Sequence, residues 1–330
     1  MKAVPPEISR IADGIRTMRI RGAGEIARSA VRALMILAEA SKAANVDDFV
    51  DELELGSKML LETRPTAVSL PNGIRYVMHR VHESQRTRRN VEEIRSVAIR
   101  AGEEFIAGSK TAIQRIGNFG ANRIRNGDAL MTHCNSSTAI AIMKTAWEQG
   151  KQIQVFATET RPRFQGRITA KALGEVGIPV TLIPDGAVRF FMDKIDRVIV
   201  GADAVTANGA VVNKIGTSMV ALAAHEARVR FFVAAETYKF SPETMIGELV
   251  KIEERNTLEV IPPAELKKMP NVKVRNPSFD ITPPEYIDII ITEKGIIPPQ
   301  GAILVLQEMF GILTPEELKE YQTYQIGEEA

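Results

Sequence analysis

Five polar segments after residue 130 hold residues able to do chemistry, and each sits beside an apolar run. The first is His133-Cys134-Asn135-Ser136-Ser137-Thr138. A thiol placed where a strand gives way to a helix lies near free backbone N–H groups, which favour its thiolate, so Cys134 is a candidate base. A structural cysteine is the plainer alternative. Ser136, Ser137 and Thr138 open the helix, and their hydroxyls with the first N–H groups suit a phosphate, or else make an ordinary N-cap. The second segment is Thr158-Glu159-Thr160-Arg161-Pro162-Arg163-Phe164-Gln165-Gly166, where two arginines before a helix can clamp a phosphate bidentately or simply be solvated. The third, Gly201-Ala202-Asp203, ends an apolar run in a carboxyl group, a candidate general acid or base, or a turn cap. In the fourth, Asn213-Lys214-Ile215-Gly216-Thr217, Asn213 and Lys214 could hold a phosphate or a sugar hydroxyl. The fifth offers Lys239, a weak signal alone because surface lysines are common.

Two further segments lie earlier. Arg21-Gly22-Ala23-Gly24 precedes a helical pattern; it lacks dinucleotide-fingerprint spacing and follows no strand. Thr63-Arg64-Pro65-Thr66 breaks the next helix. Each alone reads as a loop with a solvated arginine.

The elements that must position these residues change character near residue 120. Before it, apolar residues recur at three- and four-residue steps over 25–40, 46–62 and 89–107, which predicts amphipathic helices. After it, apolar runs at 128–134, 154–157, 180–183, 197–203, 230–234 and 287–291 alternate with helical stretches at 137–149, 165–177, 186–194 and 216–227. That alternation predicts βαβ units and a buried parallel sheet. The expected fold class is α/β: an N-terminal helical bundle over 1–120, then a Rossmann-like parallel-sheet domain over 121–330 carrying the catalytic residues. In such a sheet ligands bind at the carboxyl ends of the strands, where the polar segments fall. Pro262-Pro263, Pro283-Pro284 and Pro298-Pro299 mark loops, and the tail 327–330 should fray.

Bulk properties remove several classes. With 42 Lys+Arg against 41 Asp+Glu, the basic excess of a dedicated nucleic-acid binder is missing. One cysteine excludes an internal disulfide framework, and with four scattered histidines a structural zinc site is not expected. No apolar run reaches the roughly 18 residues that span a bilayer. The first residues lack the apolar stretch of a secretory signal, so the expected location is the cytoplasm, with no membrane partner.

Taken in order, Arg21-Gly22-Ala23, Arg64-Pro65-Thr66, the Cys134 loop, Glu159-Thr160-Arg161-Pro162 with Gln165-Gly166, Gly201-Ala202-Asp203 and Asn213-Lys214-Ile215-Gly216-Thr217 form a set. Over nearly its whole length the chain resembles the family that joins methylthioribose-1-phosphate isomerases, archaeal ribose-1,5-bisphosphate isomerases and the regulatory subunits of the eukaryotic initiation-factor exchange factor. The wording His133-Cys134-Asn135-Ser136-Ser137 is most similar to the ribose-1,5-bisphosphate branch. The resemblance implies conversion of α-D-ribose 1,5-bisphosphate to D-ribulose 1,5-bisphosphate through acid-assisted ring opening and a cis-phosphoenolate, in AMP degradation feeding ribulose-bisphosphate carboxylase. It implies Cys134 as base and Asp203 as acid, the thiolate favoured by the helix N-terminus and the acid kept protonated by burial near phosphate. Arg21, Arg64, Asn213, Lys214 and Lys239 match substrate-binding positions, Gly22, Ala23 and Gly24 would offer backbone N–H groups to the substrate, and Ser136, Ser137, Thr138, Arg161 and Gln165 are further candidates for the second phosphate. No metal or cofactor is implied; the partner is a small sugar bisphosphate, and a homo-oligomer, dimer or hexamer, is expected. Two rivals stand beside this reading: the methylthioribose-1-phosphate reaction of methionine salvage, and a non-catalytic regulatory subunit, against which the intact Cys134 and Asp203 argue.

Overall fold

Helix-period apolar stripes and a change to continuous apolar runs near residue 125 decide the architecture. The computed structural model describes residues 5–310, apart from positions 65, 88 and 89. Pro65 and the tail 327–330 therefore lie outside the described residues. The described chain forms two compact units that divide between Thr111 and Ala112.

The first unit is helical. It contains α1 (Pro6–Arg16), α2 (Ala23–Ala40), α3 (Val46–Leu61), α4 (Ser69–Thr87) and the start of α5 (Val91–Ala121). Helix α2 is the hub: Ile26, Ala27, Ala30, Val31, Leu34 and Leu37 are buried, and the helix packs on α1, α3 and α4. Small residues at 27, 30, 33 and 38 let neighbouring helices approach it closely. Asn45 caps α3 by accepting from the Asp48 N–H at 2.8 Å, which fixes where that helix starts. Two helices have no counterpart in the expected set, α1 and α4. Helix α5 also runs fourteen residues past 107, its expected end.

The second unit is built on a seven-stranded sheet. Its strands are β1 (Ala129–Thr132), β2 (Gln154–Thr158), β3 (Val180–Ile183), β4 (Arg197–Gly201), β7 (Arg230–Ala234), β9 (Ile289–Thr292) and β10 (Gly295–Ile297), in the order β10-β9-β7-β4-β1-β2-β3. All pairs are parallel except β9 with β10. Two further strands, β5 (Ala204–Val205) and β6 (Val211–Lys214), pair antiparallel, and β8 (Phe279–Thr282) joins β6 to complete a separate three-stranded sheet. Helices α6 (Ser137–Glu148), α7 (Gln165–Gly174) and α9 (Thr217–Glu226) cross over between strands, and α11 (Ala302–Phe310) ends the described chain. The core between sheet and helices is aliphatic, with Leu130, Ile142, Met143, Val155, Leu173, Ile199 and Ile291 at its centre. Each such side chain contributes about 1.5–3 kcal/mol by leaving water.

The helix expected over 186–194 is a correction. Only α8 (Val188–Phe191) is α-helical there, flanked by 3-10 turns at Asp185–Ala187 and Met192–Lys194. Pro184 before it and β4 soon after leave room for little more than one turn. A similar short helix, α10 (Pro263–Leu266), opens on the second proline of Pro262-Pro263.

Strand order places the site. From β1 the chain adds β2 and β3 on one side, then returns to lay β4, β7 and β9 on the other. The direction switches between β1 and β4, so the loops after these two strands diverge and leave a crevice at their carboxyl ends.

Candidate active site

Cys134 follows β1 and Asp203 follows β4, the two strands that flank the switch point. The two loops are in close contact: a Cβ placed on Gly201 would lie 2.3 Å from Ser136 Oγ, so only glycine lets β4 end against the Cys134 loop. Cys134 has φ 70°, a left-handed conformation that a non-glycine residue adopts at a cost. Neighbouring loops hold it there. Its N–H donates to Thr160 Oγ1 at 2.9 Å, and its carbonyl accepts from Thr169 Oγ1 at 2.8 Å. Thr160 is fixed in turn by Asp185, whose carboxylate accepts from the backbone N–H groups of Thr160 (2.8 Å) and Arg161 (2.7 Å).

The thiol contradicts one expectation. Burial pushes Cys134 up to about 11, with Asp203 and Asp185 acting in the same direction; Lys214 and the Asn135 backbone act against it. The free protein therefore carries a thiol and not a thiolate at neutral pH. The helix start does not offset this burial: α6 begins at Ser137, and its cap is Ser136, whose Oγ accepts from the Ala139 N–H at 3.3 Å. Cys134 lies before that cap, two residues ahead of Ser136.

Asp203 is half-buried, and its N–H donates to the Val212 carbonyl at 2.9 Å, which ties it to β6. That strand carries Asn213 and Lys214, both buried. Asn213 donates to Thr217 Oγ1 at 3.0 Å. The Lys214 ammonium donates to the Ser278 carbonyl at 2.9 Å and lies 4.6 Å from the centre of the Phe279 ring. Of the three donors on an ammonium group, that leaves two for a ligand.

Asp280 on β8 is a residue the sequence reading missed. It pairs with Asn213 across the small sheet, and its carboxylate accepts from the N–H groups of Gly216 (2.7 Å) and Ser218 (3.1 Å), capping α9. Burial raises it to about 6 against these bonds and against Lys214. A carboxyl group raised on folding stabilises the protein fully below its unfolded value near 4, and that contribution is lost as pH climbs through 6. Asp280→Asn should therefore gain stability relative to the wild type between pH 4 and 7, by at most about 3 kcal/mol at 1.36 kcal/mol per pH unit. Urea unfolding of both proteins at the two pH values checks it; a gap independent of pH contradicts the assignment.

The other candidates divide. Thr138 is fully buried and donates to the Ala234 carbonyl at 3.0 Å, so Ser136 is the donor in their 2.9 Å contact. Both hydroxyl protons are thereby committed inside the protein, while Ser137 is exposed. Arg161 is exposed over the Phe164 ring, and Gln165 opens α7 half-buried. Lys239 is buried, its ammonium 2.7 Å from Glu236, whose other oxygen accepts from Tyr238 Oη at 2.9 Å.

In the helical unit two separate segments meet. Arg64 Nη1 lies 3.2 Å from Met18 Sδ, and Ser69 Oγ donates to the Ala23 carbonyl at 2.9 Å. The Arg21-Gly22-Ala23-Gly24 turn, with Gly22 capping α2 at φ 88°, therefore adjoins the Arg64 segment. Among the described residues no group of three or more His, Cys, Asp or Glu side chains could hold a metal ion, and no helix is long and apolar enough to cross a membrane.

A Rossmann-like sheet with a cysteine and an aspartate at its switch point, and lysine and asparagine on the adjoining ribbon, describes a small-molecule site of the α/β class. The chain belongs to the Initiation factor 2 subunit family, whose model matches residues 19–299. It is 58% identical over 310 residues to the ribose 1,5-bisphosphate isomerase of Thermococcus kodakarensis, covering 94% of this chain and 96% of that protein. The methylthioribose-1-phosphate isomerase of Geotalea uraniireducens is a more distant relative, 41% identical over 306 residues, covering 88% and 87%. Among solved structures, the translation initiation factor eIF-2B of Pyrococcus horikoshii OT3 superposes with a TM-score of 0.76 at 33% identity, covering 91% of this chain and 99% of that one.

Proposed function

We propose that this protein is an intramolecular aldose–ketose isomerase that converts α-D-ribose 1,5-bisphosphate to D-ribulose 1,5-bisphosphate. The observation that carries the reading is the placement of Cys134 and Asp203 after adjacent strands at the switch point, in a chain 58% identical to a relative of that name.

Phosphate on the anomeric oxygen prevents the sugar from opening to a free aldehyde. Asp203 gives its proton to the ring oxygen as the C1–O4 bond breaks, and Cys134 takes the proton from C2. A C1–C2 phosphoenolate results. The Cys134 proton then goes to C1, the O2 proton goes to Asp203, and both groups return to their starting states. The cycle needs a cysteine anion, which the free protein disfavours. Lys214 acts on the thiol in the required direction, so the same ammonium group both favours the base and meets the substrate. Asn213 and Lys214 bind the sugar phosphate from β6. Lys239, Arg161, Gln165 and the Ser137 end of α6 serve the 5-phosphate. We further propose a cytoplasmic location, since a substrate with two phosphates does not cross membranes, and a homo-oligomeric assembly.

Turnover of ribose 1,5-bisphosphate in deuterated water tests the chemistry. A half-buried base exchanges its proton with solvent, so ribulose 1,5-bisphosphate should carry deuterium at C1 by NMR. Product formed with the C2 hydrogen wholly transferred to C1 contradicts it.

A further inference from the structure

The Cys134 loop and the Lys214 turn come from distant parts of the sequence, yet one buried side chain is bonded to both. His133 is 1% exposed, its Nε2 lies 2.8 Å from the Ile215 carbonyl, and its Nδ1 lies 2.7 Å from Thr158 Oγ1. A carbonyl only accepts, so Nε2 carries the proton and Nδ1 accepts from the Thr158 hydroxyl. Thr158 Oγ1 lies 3.3 Å from Thr160 Oγ1, and Thr160 accepts the Cys134 N–H at 2.9 Å. An unbroken chain of hydrogen bonds thus runs from the backbone of Cys134 through Thr160, Thr158 and His133 to Ile215, the residue after Lys214. The fit at the far end is tight. Gly216 has φ 100°, and a Cβ there would lie 3.0 Å from His133 Cε1, so both its conformation and the closeness of the ring call for glycine. The ring is neutral in this arrangement, with burial lowering it and Lys214 adding to that, against the Ile215 bond and Asp185.

We propose that His133 is a positioning residue that sets Cys134 against the Lys214 turn, by holding the Cys134 backbone in its left-handed conformation through Thr158 and Thr160. Every side chain in the chain of bonds is buried, and none reaches outward to a ligand. Their effect is on the geometry between the base and the ammonium group beside it. The inference rests on the isomerase reading for its rate measurement and is independent of it for its measurement on the thiol.

The experiment uses the full-length protein in the variants His133→Asn, Thr158→Val and Thr158→Ser. Thr158→Val keeps shape and removes the hydroxyl, so it carries the test if His133→Asn does not fold. For ribose 1,5-bisphosphate the first two should lose roughly 10- to 100-fold in kcat, the scale of a misplaced catalytic group, with KM within about threefold. Cys134 is the single cysteine, so its alkylation by iodoacetamide reads the loop directly. Once the loop is released the thiol becomes better hydrated, and at pH 8 alkylation should speed up by about tenfold, with a pH midpoint moved down toward the ordinary thiol value near 8.5. Thr158→Ser should restore both. A slower enzyme with a more reactive cysteine is a pair of changes that simple loss of folded protein, checked by circular dichroism, does not give. Folded variants with wild-type alkylation, wild-type kcat, a change confined to KM, or no rescue by Thr158→Ser overturn the proposal. A wild-type protein inactive on the sugar defeats the isomerase reading alone, because the alkylation comparison needs no substrate.

Discussion

Cys134→Ser should cost on the order of 10²–10⁴ in kcat, the range for removing a positioned general base, with KM for the sugar phosphate little changed. The hydroxyl keeps the shape of the side chain and cannot become an anion at usable pH. The backbone bonds to Thr160 and Thr169 do not involve the thiol, so the loop should keep its conformation. The wild-type profile follows from the same assignment. With the thiol up at about 11, the active anion is scarce at pH 7, and because Asp203 must keep its proton at the same time, kcat/KM should rise with pH only until Asp203 ionises and then level off. A Ser variant within threefold of the wild type removes Cys134 from the mechanism.

Asp203→Asn should be nearly as severe, on the order of 10²–10⁴ in kcat, because an amide cannot give a proton to the departing ring oxygen. The fold should survive, since the Asp203 N–H to Val212 belongs to the backbone. Circular dichroism with single-turnover assays on ribose 1,5-bisphosphate measures this. A folded, active Asn variant would place the acid elsewhere. Asp203→Glu should keep part of the rate, because a longer carboxyl side chain still donates but sits out of register with O4.

The sheet was legible because each core strand announces itself locally. The run at Arg197–Gly201 is followed by a lone acid, and the run at Ala129–Thr132 by a cysteine and three hydroxyl residues. Order in the chain and the rule for open parallel sheets then suffice to bring Cys134 and Asp203 to one edge. Asp280 was not legible. It caps α9 from a strand more than 60 positions further on, inside a stretch whose prolines read as loop, and only the pairing of Asn213 with Asp280 reveals it. The acidity of Cys134 was misjudged for a related reason. The sequence shows a thiol near a helix start; it does not show that Ser136 occupies the cap and that burial dominates. Thr138 likewise counts as a phosphate ligand by composition, while its hydroxyl is spent on the Ala234 carbonyl. Local pattern reports which groups are near a strand end, and the long-range partners decide which of them remain available.

The central claim concerns the sugar, and catalytic efficiency on two sugars tests it. Ribose 1,5-bisphosphate and methylthioribose 1-phosphate share the 1-phosphate and the carbons that react, so Cys134, Asp203, Asn213 and Lys214 treat them alike. They differ at the 5-position, where a dianionic phosphate needs donors and a methylthio group needs an apolar wall. A phosphate can take charge-assisted hydrogen bonds from donors such as Lys239 and Arg161 that a methylthio group cannot, each contributing about 1.5–3 kcal/mol. Two such donors amount to a preference on the order of 10²-fold or more. With both sugars offered to the purified protein under one set of conditions, kcat/KM should favour ribose 1,5-bisphosphate by at least about that factor. Equal efficiencies, or a preference for methylthioribose 1-phosphate, contradict the account and take the 5-phosphate roles of these residues with them.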